Sequence, residues 1–208
     1  MGVIYGGFEV PRRLDFGAGE HKEQGYISVD RQPLTNPDIT HDLNEFPYPF
    51  DDESVDEVRA FHVIEHLDRP FEVMREFHRI LKPGGLLHIK VPHFSRGFTH
   101  AEHSHGFDIT FPLYFDPSFT TSGYFGVNFR LLDLRLRWFA YADLLERLGY
   151  SRSTVRTLNF ADRIITSVAN LSPAFAARIW CFWVGGFDEI EMRFTCTKSV
   201  ALRDQNAK

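Results

Sequence analysis

The stretch LDFGAGEHKEQGYISVD, residues 14–30, decides the fold of this 208-residue chain. Apolar Leu14 leads through Asp15 into Gly17 and Gly19, two residues without a Cβ, which permit a sharp turn and let a ligand approach the backbone closely. A short segment, Tyr26 to Val29, then ends in Asp30. A carboxylate at the carboxyl end of a strand beside a glycine turn is the group that accepts hydrogen bonds from a ribose diol in doubly wound nucleotide folds. A purely structural turn is the competing explanation of the two glycines.

The spacing departs from the dinucleotide fingerprint. That pattern carries a third glycine opening a helix that holds a pyrophosphate, with its acid about 20 residues further on. Here Glu20 and His21 follow Gly19, and Asp30 comes only 11 residues after it. A typical helix takes roughly 10 residues or more, so the first crossover helix is expected to be shortened or missing. A pyrophosphate would lose its anion site in such a loop, whereas an adenosine with a cationic centre would lose much less. S-adenosylmethionine meets that description and NAD does not.

Further along, Asp38 to Thr40 reads as a short third strand followed by Asp42 and Leu43, a carboxylate for an adenine amino group and a side chain to pack on its ring. FPYPF, residues 46–50, is an aromatic and proline linker, and Val55 to Phe61 is a fourth strand. After HVIEHL, residues 62–67, the spacing of Phe71, Met74, Phe77, His78 and Leu81 predicts a helix over Pro70 to Leu81. Pro70 suits its first turn. Lys82 to Gly85 stop it, and Leu86 to Val91 reads as a buried strand. Phe129 to Trp138 partly alternates, Tyr141 to Leu148 is helical in pattern, and Glu189 to Thr197 alternates as a last strand.

With these segments in this order, the chain resembles the class I S-adenosylmethionine-dependent methyltransferases, more narrowly a short-glycine-loop subgroup of bacterial and archaeal members. The carrying residues are Leu14 to Gly19, Asp30 in Gly25-Tyr26-x-x-Val29-Asp30, Asp42 with Leu43, HVIEHL, and RILKPGGLLHIKVPHF at 79–94; the likeness covers residues 11–115 well and the aromatic C-terminal third loosely. It implies a three-layer Rossmann-like α/β fold with a mostly parallel seven-stranded sheet in the order 3-2-1-4-5-7-6, shortened by its first helix. It implies S-adenosylmethionine as cofactor, with Gly17 and Gly19 against the methionine part, Asp30 on the ribose, and Asp42 and Leu43 on the adenine. Phe61 and His62 would line the same cleft, and Asp15 either touches the cofactor or satisfies loop amides. The chain is expected to form a single domain over residues 1–208, with an inserted acceptor-side loop at about 93–128 and an aromatic helical segment at about 160–184. The methyl acceptor is expected to be a small molecule or glycan-related.

Composition bounds the partners. Net charge is −5 and no basic run stands out beyond Arg130, Arg135 and Arg137, so nucleic acid is not the expected partner. Cys181 and Cys196 lack Cys-x-x-Cys spacing and no leader pattern opens the chain, which points to a cytoplasmic setting. Residues 160–184 are aromatic but interrupted by Asp162, Arg163, Pro173 and Arg178, so they read as a rim or dimer helix, or as a membrane-surface patch, and not as a transmembrane span.

Four histidines, His93, His100, His103 and His105, fall in 13 residues after the fifth strand. In the resembling proteins an acid, two residues, histidine and an aromatic recur here, which maps onto Glu102, His105 and Phe107, with His103 where a proline is usual. The resemblance makes His105 the acceptor-side base or orienting group, with Glu102 holding it; imidazole titrates near neutrality. No metal is expected. Two metal alternatives stand beside this one: a non-catalytic metal-binding module built on His93 to His105, and a zinc peptidase using His62, Glu65 and His66 as an H-x-x-E-H string. Pro70 restricts Arg69 and cuts short the helix that the peptidase needs.

Overall fold

Strand formation follows the apolar positions closely. The computed structural model describes residues 4–5, 8–9, 11–97, 100–119 and 124–198. A two-stranded antiparallel hairpin, β1 (Ile4–Tyr5) and β2 (Phe8–Glu9), precedes the main sheet. There β3 (Arg13–Phe16), β4 (Ile27–Asp30) and β5 (Ile39–Thr40) run parallel, followed by β6 (Val55–Phe61) and, after α1 (Pro70–Ile80), by β7 (Leu81–Pro92). α2 (Phe94–Gly97) leads into a loop region that ends at β8 (Phe129–Arg137); α3 (Ala142–Arg147), α4 (Arg152–Ala169) and α5 (Pro173–Arg178) then precede β9 (Glu189–Cys196). The sheet order is β5-β4-β3-β6-β7-β9-β8, with β9 antiparallel to both neighbours. Numbered within this sheet alone, that is the expected 3-2-1-4-5-7-6.

The missing helix is real. Between β3 and β4 the chain only turns, and between β4 and β5 it makes one 3-10 turn at Pro33–Thr35. The FPYPF linker packs on the sheet face that α1 also covers, while the opposite face, where the first helix would lie, carries Arg13, Asp15, Glu57 and Arg59, joined in the pairs Arg13–Glu57 and Arg59–Asp15. Tyr48 and Phe50 are buried. Their rings lie 5.5 and 5.9 Å from that of Phe16, which in turn sits 5.1 Å from Phe77 of α1. Arg79 clamps the linker: its guanidinium donates to the carbonyl oxygens of Tyr48 and Phe50 and to Glu76 and Asp52. The Tyr48 amide donates to Glu76 in return.

Two boundaries differ from the sequence reading. β7 begins at Leu81 and not at Leu86, because Leu81 already pairs with Val55 before the ladder jumps to Glu57 opposite Leu86. Lys82 to Gly85 therefore bulge out of a strand instead of preceding it, and Gly84 takes a left-handed φ of 79° to allow this. In the C-terminal third, helix α4 starts at Arg152, eight residues before the aromatic run, because Ser151 caps it by accepting from the Thr154 amide. Asn170 then exchanges both amide hydrogen bonds with the backbone of Leu136, so the end of α4 covers the edge strand β8. Phe160, Ile164, Phe182 and Trp183 remain exposed on this side. Among the described residues no helix is long and apolar enough to cross a membrane.

Arg79→Met leaves two carbonyls without their donor and Glu76 with only the Tyr48 amide. It should lower unfolding free energy in urea by about 2–4 kcal/mol, whereas Arg135→Met, which removes an exposed pair with Asp133, should cost no more than about 0.5 kcal/mol.

Candidate functional site

The carboxyl ends of β3, β4 and β5 open onto a cavity of about 400 Å³, lined by Gly17, Asp30, Asp42 and Leu43 from the first half of the sheet and by His62, Val63, His66 and Glu102 opposite them. Gly17 adopts φ +69°, and a Cβ there would stand 2.6 Å from the Val63 side chain, so the turn and the wall behind it can meet only at glycine. Its amide donates to the Val29 carbonyl at 2.8 Å, which fastens the turn to β4. Asp30 is braced from both sides: its Oδ2 accepts from the Gly19 amide at 2.9 Å and its Oδ1 from the Gln32 amide at 2.8 Å. Asp42 accepts from the Asn44 amide in a tight turn, and the Tyr48 hydroxyl donates to the Leu43 carbonyl. The two carboxylates on this wall are held by backbone amides before any ligand arrives.

The opposite wall is set by His62, whose φ of +52° swings the chain off β6. Its Nε2 lies 2.7 Å from Glu189 of β9, and its Nδ1 lies 3.4 Å from Glu65. Burial opposes a charge on this imidazole, but the two carboxylates outweigh it and push the pKa up to about 9. Residues 64–66 form a single 3-10 turn. His62 and His66 thus share no helix, and the geometry of an H-x-x-E-H zinc peptidase is absent. Nothing supports the four-histidine module either: His93 is fully buried, bonds Ser95 through Nδ1, and is held down to a pKa of about 4, chiefly by burial.

Other expected site residues fall outside the cavity lining. Asp15 is buried beside Arg59, 3.5 Å away; burial raises its pKa to about 6 although Arg59 pulls the other way. Phe61 lies under the Arg59 guanidinium at 4.2 Å and meets His88 edge-on at 4.6 Å. Gly19 contributes through its amide to Asp30. Glu102 reaches the cavity, but no hydrogen bond joins it to His105, whose Nδ1 is buried without a partner. The reason is His103, which stands where a proline was expected: its Nδ1 donates back to the Gly97 carbonyl and its amide to that of His100, folding the loop on itself. The sequence reading missed His66, Val63 and Glu189. Glu189 had no local signal, since only the antiparallel pairing of β7 with β9 brings it to His62.

A family model described as a methyltransferase domain matches residues 15–89, from β3 to β7. No curated protein matches the chain in sequence. Among solved structures, an S-adenosylmethionine-dependent methyltransferase from Archaeoglobus fulgidus is 20% identical at a TM-score of 0.53, over 89% of this chain and 86% of that one. Another from Mesorhizobium loti is 12% identical at 0.52, over 89% and 92%. A cyclase is 14% identical at 0.50, over 90% and 75%. At these identities the likeness is one of fold, and the matched segment is what speaks for the reaction.

Two substitutions separate the turn's constraints. Gly17→Ala meets both a left-handed backbone and the Val63 contact and should cost about 2–4 kcal/mol in urea unfolding, whereas Gly19→Ala, with open space around its Cβ, should cost about 1–2 kcal/mol. Asp15 gives a pH signature. Its raised pKa means that the protonated form favours the fold, so its contribution is complete below about 3.8 and lost as pH rises through about 6. The stability difference between wild type and Asp15→Asn should fall across that window and level off above it.

Proposed function

We propose that this chain, a class I S-adenosylmethionine-dependent methyltransferase, uses the cavity beneath its glycine turn to hold the cofactor and methylates a small-molecule or glycan-related acceptor. The observation that carries the reading is the convergence of Gly17, Asp30, Asp42 and Leu43 on one cavity. In this assignment the turn at Gly17 and Gly19 meets the methionine part, Asp30 accepts from the ribose diol, and Asp42 and Leu43 meet the adenine. Bound there, the cofactor supplies a methyl group on a sulfonium centre. The carboxylates of Asp30, Asp42 and Glu102 line the cavity, with Arg31 and His62 as the cationic members of the same lining. Asp15 and Phe61 pack around Arg59 and are not assigned to the cofactor.

The protein's own task is alignment, which in well-oriented systems accounts for several kcal/mol of barrier, roughly 7 or more. Glu102, on the wall facing Asp30, is the loop residue that would meet an acceptor. His105, three residues further on, is assigned to transfer rate and not to cofactor affinity. The acceptor class is favoured by what the basic strip does. Arg135 pairs with Asp133, and Arg137 comes within 4.0 Å of Asp162, so two of the three arginines of this strip already face carboxylates. The free thiols of Cys181 and Cys196 accord with a cytoplasmic setting.

Calorimetric titration with S-adenosylhomocysteine tests the assignment. Asp30→Ala should weaken binding by about 10-fold to 100-fold while circular dichroism stays that of a folded chain; unchanged affinity would remove Asp30 from the ribose site. His105→Gln should bind as wild type and slow transfer by about 10²-fold or more once an acceptor is in hand.

A further inference from the structure

Glu65 is the most unusual group in the molecule. It is fully buried, and neither carboxylate oxygen has a hydrogen-bond partner. A buried carboxylate without hydrogen bonds costs several kcal/mol unless a cation or a proton meets it. His62 approaches one oxygen at 3.4 Å, but its closer partner is Glu189 at 2.7 Å. On its other side Glu65 faces two imidazoles. Ligand atoms of Glu65, His66 and His103 all lie within 4.8 Å of one another.

Both imidazoles are prepared in the same way. His103 Nδ1 is bonded to the Gly97 carbonyl, and His66 Nδ1 lies 3.3 Å from that of Glu102. A carbonyl oxygen can only accept, so each Nδ1 carries the proton and each Nε2 keeps its lone pair. This is the arrangement by which outer partners fix the tautomer of metal-binding histidines. A further bond, from the Ser104 amide to the Glu65 carbonyl, ties the histidine loop to this turn. His100 stacks on His103 at 4.9 Å, but its Nδ1 accepts from the Glu102 amide, so it braces the loop and stays outside the set.

We infer that Glu65, His66 and His103 form a binding site for one divalent transition-metal ion of the zinc type. The set is distinct from the His93 to His105 module and from the H-x-x-E-H pairing, because it takes one histidine from each segment and uses Glu65 as a ligand. Two imidazoles and one carboxylate suit zinc, cobalt or iron and are a poor set for magnesium or calcium, which prefer oxygen. Donor atoms around tetrahedral zinc stand about 3.4 Å apart, so loading draws the three side chains together by roughly 1 Å. Three protein ligands leave a coordination position open. His66 also lines the cavity described above, so, resting on the methyltransferase reading, the class of group that completes the ion is an oxygen donor of the acceptor, such as a hydroxyl.

The experiment is titration of the chelator-treated full chain with Co²⁺, read by visible absorption, and with Zn²⁺, read by calorimetry, with Mg²⁺ in parallel. One Co²⁺ per chain with a ligand-field band, Kd about 10 µM or tighter, and no Mg²⁺ uptake is the expected result. His103→Gln and His66→Gln, both at half-buried positions, should each weaken Zn²⁺ by about 100-fold, and His21→Gln at an exposed site should not. Absence of stoichiometric uptake, or equal affinity in His103→Gln and wild type, overturns the site. S-adenosylhomocysteine titrated into the same samples keeps the two readings apart: its binding without metal uptake defeats only the metal site, and metal uptake without its binding defeats only the cofactor assignment.

Discussion

The contact between Gly17 and Val63 is the constraint on which the site depends. At no other residue type can the chain leave β3 with a left-handed backbone and still press against the residue that follows His62. From that contact the rest follows in order. The Gly17 amide is fixed to Val29, the Gly19 amide is delivered to Asp30, and the cavity floor is closed between the two halves of the sheet. A ten-residue connection does this without a helix, because the amides of Gly17 and Gly19 fasten the turn to Val29 and Asp30.

Losing the helix leaves one face of the sheet to charged side chains, with Arg13 paired to Glu57 and Arg59 to Asp15. On the other face, beside α1, Tyr48 and Phe50 pack on Phe16, Tyr48 also reaches Phe77, and Phe46 stacks on Tyr48, through ring contacts between 5.4 and 6.1 Å. Such a linker has few backbone hydrogen bonds of its own, and Arg79 provides them. The same economy appears at the far edge, where Asn170, Thr166 and Asp162 of the α4 region satisfy backbone groups of Leu136, Trp138 and Phe139. Side chain to backbone bonds thus tie the linker to α1 and the edge strand β8 to α4.

Local signals made the sheet legible. Val55 to Phe61 and the helix from Pro70 declare themselves by alternation and by three-four spacing, and the strand order came with the resemblance. Asp30, Asp42 and Leu43 were legible as cavity residues because each lies just past a short strand. What was not legible is what depends on contact across sequence. Asp15 looked like a ligand residue, yet its position within β3 turns it toward Arg59. His103 was marked as standing where a proline is usual, and its bond to Gly97 could not be read from that. Glu189 is separated from His62 by 127 residues, and nothing near it in the sequence announces the pairing.

That separation bears on how the protein is made. β9 inserts between β7 and β8, so two neighbours already in the chain wait for the last strand. During synthesis from the N terminus, β3 to β7 and α1 emerge and can associate well before residues 189–196 exist. Over that interval the outer edge of β7 has no partner, and His62 faces Glu65 without Glu189. The nascent chain therefore carries an open parallel edge of the kind that pairs with other chains, and a nascent-chain chaperone or a slow pause between residues 137 and 189 would act on that single exposed strand.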